Sequence, residues 1–185
     1  LHLAGYSVFG VDINPQPNYP YPFLQAHVLS LGLDFLRRFD FIWASCPCQR
    51  WVNGAKQRNT AHLYPDLITP VREMLEQTDA KWCMENVPLA PIRSDAILCG
   101  TMFDLPLFRH RSFELSGFSV VEPIHYSHPL EYTTVAGHPG NSPKGRNGTG
   151  QERKDAMGIN WMADRELVEA VPPAYAEFIG RAAII

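Results

Sequence analysis

The chain lacks several features that would place it quickly. No apolar run approaches the ~18 residues of a membrane span, so a membrane location is not expected. Cysteine is scarce: Cys46, Cys48, Cys83 and Cys99 are the only four. They are too few and too irregular for a disulfide scaffold, which points to a reducing cytoplasm. The paired C-x₂₋₄-C spacing of zinc sites is missing, so no metal is expected. Excess charge is lacking too. The formal net charge is -3, and global charge therefore does not announce a nucleic-acid binder. There is no internal repeat.

What is present fits one globular domain. The 185 residues are 45% hydrophobic and 19% charged, which excludes a disordered chain. A chain of this length buries ~70% of its unfolded surface, enough for a core without metal or disulfide staples. Charge is unevenly distributed. Acidic residues crowd 152–177, while Arg50, Lys56 and Arg58, Arg109 and Arg111, and Lys144 and Arg146 have few acidic neighbours. A local basic cleft in a mildly acidic protein is compatible with this pattern.

Tyr6–Ile13 is short, apolar and rich in β-formers, and predicts a strand ending near Asp12. Residues 14–22 hold four of the 16 prolines and predict an extended loop. Phe23–Leu29 is a second strand candidate and Leu33–Arg38 a short helix. Phe39–Ser45 reads as a buried strand that runs into Cys46-Pro47-Cys48-Gln49. Residues 50–63 read as a polar, mobile loop. Leu67, Val71 and Leu75 recur at four-residue spacing and predict a helix over 66–78. Trp82–Val87 is another strand, and Arg109–Leu115 alternates like one. Residues 137–150 carry five of the 13 glycines and predict loop or disorder. Asp164 is placed to cap a helix through 165–171. Pro172-Pro173 ends it, and Pro173 can start the last helix. Strand, helix and strand in alternation indicate an α/β fold with a mostly parallel sheet, whose ligands bind beyond the strands' carboxyl ends. Asp12, Cys48-Gln49 and Glu85-Asn86 fall at those ends.

Singly, each polar residue has a plain structural reading. Cys48 fits a buried cysteine as well as a nucleophile, and Glu85 a salt-bridged carboxylate as well as a general acid. Arg109 and Arg111, two apart on a strand, share one face. Together they are more specific. Pro47-Cys48-Gln49, then Glu85-Asn86-Val87, then Arg109-His110-Arg111, each at a strand end or start, resembles the DNA cytosine-5 methyltransferase family. Gly10-Val11-Asp12-Ile13 resembles its strand-end acid that holds the cofactor ribose. Met157-Gly158-Ile159 through Pro172-Pro173-Ala174-Tyr175 to Ile179-Gly180 resembles the closing region of short, phage-type members.

The resemblance implies a Rossmann-like, three-layer class I methyltransferase fold. It implies S-adenosylmethionine as cofactor and double-stranded DNA as partner of a monomer in a prokaryotic or phage-infected cell. Catalysis falls to Cys48, Glu85, Arg109 and Arg111. Cofactor contacts fall to Asp12, Ile13, His27 and Pro47. DNA contacts fall to Gln49, Asn86, Val87, Arg50, Lys56, Arg58, Lys144 and Arg146. Residues 1–115 form the catalytic and cofactor-binding core, 116–155 a short target-recognition region, and 156–185 the C-terminal helices. The chain departs from the family pattern in three ways. The Phe-x-Gly-x-Gly loop and the first strand before it are missing, and because Leu1–Gly5 reads as the end of a helix, an upstream segment carrying them is expected. His27 stands where an Asp is usual, and Cys46 where a second Pro is usual. The alternatives are a DNA-binding remnant of the family, a pyrimidine C5 methylase acting on nucleotides, and a zinc site on the four cysteines.

Overall fold

Lys81–Asn86 (β4) has a buried side chain at every position after the first. That requires cover on both faces and partners on both edges. A computed structural model describes residues 1–128, 132–135 and 145–185. In it, β4 lies between Phe41–Ser45 (β3), which is parallel to it, and Arg111–Ser116 (β6), which is antiparallel. Ala96–Leu98 (β5) pairs antiparallel with the far edge of β6, giving the order β3-β4-β6-β5. Two parallel pairs stand apart from this sheet: Gly10–Asp12 (β1) with Phe23–Gln25 (β2), and Tyr132–Thr134 (β7) with Gly145–Asn147 (β8). The protein is thus a mixed α/β fold. The strands on β6 run antiparallel because no helical crossover separates β4, β5 and β6.

Alternation along β4 assigns its two faces. Trp82 and Met84 pack against Ile68, Val71 and Leu75 of the helix Ile68–Leu75 (α3). Cys83 faces the other way, into a core with Phe113, Leu115, Tyr175 and Ile179. The last two belong to the helix Pro173–Ile184 (α6), whose first position is a proline as expected. Helices therefore cover opposite faces of the sheet. Each large side chain buried in this way contributes about 1.5–3 kcal/mol. A satellite core under β7 gathers Leu107, Val135, Ala156, Met157, Ile159 and Leu167.

Several elements differ from the sequence expectation. The first two strands shrink to three residues each, and Val28–Ser30 becomes a 3₁₀ turn. Leu33–Leu36 (α1) is a single turn. Residues 50–63 are not a featureless loop: Asn53–Gln57 (α2) and a 3₁₀ turn at Ala61–Leu63 lie there, anchored by the buried Ala55. Gly150–Met157 (α4) emerges from the glycine-rich segment. It is started by a capping box in which Thr149 accepts from the Glu152 amide and Glu152 accepts from that of Thr149. Asp164 is the first residue of Asp164–Leu167 (α5) rather than its cap, and the helix stops four residues before the expected end at 171. Residues 137–144 of the expected 137–150 loop lie outside the described residues. No helix of the described chain is long and apolar enough to cross a membrane.

Candidate active site

Register brings the predicted chemistry together. Glu85 is opposite Ser45 on β3 and opposite Phe113 on β6. Arg111, two residues before Phe113, is therefore the diagonal neighbour of Glu85 on the same face. The Arg111 Nε lies 2.9 Å from Glu85 Oε1, and both side chains are almost fully buried. Burial pushes the Glu85 carboxyl above its ordinary value, while Arg111 and the Ser45 hydroxyl pull it back.

Asn86 is 1% exposed and holds the next turn in place. Its Nδ2 donates to the Cys46 carbonyl at 2.9 Å, and its Oδ1 accepts from the Val87 amide at 2.9 Å. The Cys46-Pro47-Cys48 turn is thereby tied to the end of β4. Cys48, Arg111, Arg109, Val87, Tyr132 and Thr134 line one cavity of about 430 Å³. That size suits a small-molecule or single-base site, which runs from about 300 to 1,000 Å³. Burial pushes the Cys48 thiol up, Arg111 pulls it down, and Glu85 pushes it up again. Arg111 is the strongest influence favouring the Cys48 thiolate, with a backbone hydrogen bond acting the same way. The Thr134 hydroxyl, beside this cavity, is buried with no partner among the described residues.

Arg109 is employed differently from expectation. Its Nε donates to Ala170 O at 2.9 Å and its Nη2 to Val168 O at 2.7 Å, so the guanidinium caps the carbonyl end of α5. Its own carbonyl accepts from the Tyr175 hydroxyl at 2.8 Å. Burial lowers this guanidinium to about 10, and the like charge of Arg111 acts the same way. Arg109 therefore joins β6 to the C-terminal helices while one side of it borders the cavity.

The remaining expected contacts are scattered. Gln49 donates to Glu169 at 3.0 Å. Arg50 donates to Tyr64 O at 2.9 Å and stacks over Trp51, pinning the segment after Cys48 rather than standing free for a phosphate. Arg58 is exposed. Asp12 Oδ1 accepts from the Asn14 amide at 2.8 Å, beside the exposed Ile13. His27 caps its 3₁₀ turn, Nδ1 accepting from Leu29, which leaves Nε2 free of that role. Pro47 is exposed. Lys144, and the side chains of Lys56 and Arg146, lie outside the described residues. No family model and no curated protein matches the chain.

The four cysteines do not gather into a ligand set. Cys46 donates to Leu67 O at 3.8 Å, and Cys83 is sealed in the core. Among the described residues, one cluster has the composition of a metal site: Cys99 with His110, His125 and His128. The sequence reading, which looked for paired cysteines, passed over it; the signal available was the His125-x-x-His128 spacing. Thr134 was missed as well, and nothing in the sequence marks it.

Proposed function

We propose that the chain is a Rossmann-like, S-adenosylmethionine-dependent DNA cytosine-5 methyltransferase. The observation that carries this reading is the convergence of Cys48 and Arg111 on one cavity, with Glu85 paired to Arg111. A further feature supports it: helices cover both faces of the main sheet.

Asp12 and Ile13, at the carboxyl end of β1, suit a cofactor ribose and adenine: a carboxylate has a second oxygen beyond the one facing Asn14, and Ile13 offers exposed apolar surface. S-adenosylmethionine supplies the electrophilic methyl group when bound. Cys48, once deprotonated, adds to cytosine C6 and makes C5 nucleophilic. Glu85, kept protonated more readily by burial, donates to N3 and receives the developing charge there. Arg111 orients that carboxyl and favours the thiolate. After methylation, N3 returns its proton to Glu85, and loss of the C5 proton to solvent re-forms the C5=C6 bond as the C6–S bond breaks and Cys48 leaves as a thiolate. The base must leave the duplex to enter the cavity.

Covalent capture tests this. A duplex oligonucleotide carrying 5-fluorocytosine should form a denaturant-resistant adduct with the protein in the presence of cofactor, and Cys48→Ser should abolish it. No adduct and no methyl incorporation on any DNA, or undiminished trapping by the Ser variant, overturns the reading.

A further inference from the structure

We propose that Cys99, His110, His125 and His128 form a tetrahedral zinc site that clamps the segment after β6 onto the strand entry carrying Arg109 and Arg111. One ligand atom from each residue lies within 4.8 Å of every other. The two separations resolved among them fit one metal. Zn–S of about 2.3 Å and Zn–N of about 2.0–2.1 Å in a tetrahedron give edges of about 3.5 Å for S···N and about 3.3 Å for N···N. Cys99 Sγ and His128 Nε2 are 3.6 Å apart, and His125 Nε2 and His128 Nε2 are 3.2 Å apart.

Hydrogen bonding alone does not explain this convergence. An imidazole nitrogen has a single in-plane site, either a proton or a lone pair. His128 Nε2 faces both a sulfur and a second imidazole nitrogen, so it can satisfy only one of them. A cation at the shared centre satisfies all four ligands. One thiolate and three imidazoles match the donor preference of zinc. Burial is suitable: Cys99 is fully buried, while His125 and His128 reach the surface and give a metal access.

The ligands come from three places. Cys99 follows β5, His110 precedes β6, and His125 and His128 belong to the extended segment after β6. His128 stacks on Phe108 at 4.0 Å, and Phe108 packs at 4.2 Å on Tyr132; both aromatic residues border the cavity. The clamp thus fixes one wall of the candidate site from outside it, through no residue assigned to chemistry. It stands independently of the methyltransferase reading.

Zinc itself and cobalt(II) are the probes. Protein purified without a metal-affinity tag and dialysed should retain about one zinc per chain by mass spectrometry of the metal. The cobalt form should show tetrahedral d–d bands with a sulfur-to-cobalt charge-transfer band. In the double variant of His125→Ala and His128→Ala, both surface substitutions, zinc affinity should fall roughly tenfold or more with circular dichroism unchanged. Cys99→Ser should lose the charge-transfer band. Trace zinc in the wild type after zinc loading, an octahedral cobalt spectrum, or unchanged zinc affinity in the folded double variant overturns the site.

Discussion

Arg111 holds Glu85 across the β4–β6 ladder, Nε to Oε1, at 2.9 Å. Glu85 is cut off from water and depends on Arg111, which borders the cavity and also donates to the His110 carbonyl at 2.8 Å. The pair gives the candidate site a carboxyl that is buried yet not abandoned.

That dependence sets a pH signature. Burial raises the folded Glu85 carboxyl above its ordinary 4.5. Between 4.5 and the raised value the folded protein keeps a proton that the unfolded chain has lost. The stability Glu85 contributes is therefore full below 4.5 and declines as pH climbs through the folded value. Arg111→Met removes the charge that restrains the shift. The Glu85 midpoint, followed by carboxyl carbon NMR, should then move further up. Stability above that range should fall by up to about 3–5 kcal/mol, the cost of stranding one partner of a buried pair. A midpoint that stays put would show that Arg111 does not govern Glu85.

The thiols should separate by reactivity. Burial pushes Cys46 up to about 12, with Glu85 and Asp66 adding to it, and Cys83 is raised well above its usual range. Cys48 is raised too, but it opens onto the cavity and has Arg111 beside it. Limiting iodoacetamide at mildly alkaline pH should label Cys48 ahead of Cys46 and Cys83. Its rate should keep climbing past the ordinary thiol value of 9.0. Peptide mapping by mass spectrometry checks the order. Equal labelling of Cys46, or a rate that levels off below 9.0, contradicts it.

A third expectation concerns the opposite face of the sheet. Glu114 is fully buried, bidentate to Arg72 at 2.9 and 2.8 Å, and 3.1 Å from Arg93. Glu114→Ala would leave two guanidinium groups facing one another across a gap. Denaturant unfolding should lose about 3–5 kcal/mol with little change in slope. A loss of under about 1 kcal/mol would mean that solvent screens the triad.

Much of this was legible locally. The four-residue spacing of Leu67, Val71 and Leu75 gave α3, the apolar run from Trp82 gave β4, and Pro173 marked the start of α6. Boundaries were less legible. The strand expected from Phe23 stopped at Gln25 because His27 caps a turn with its own ring. The helix α4 was hidden by glycines, although Thr149 and Glu152 carried its start signal.

By itself, the sequence determined which residues could do chemistry and the order in which strands deliver them, because propensity and strand-end chemistry act between near neighbours. Only the tertiary structure decided what each polar group faces. It bound Arg109 to the carbonyls of Val168 and Ala170, left the Thr134 hydroxyl without a partner among the described residues, and drew Cys99 to a histidine 29 positions away. Those choices follow from strand register and from the need to pair groups cut off from water, and neither is written in a local pattern.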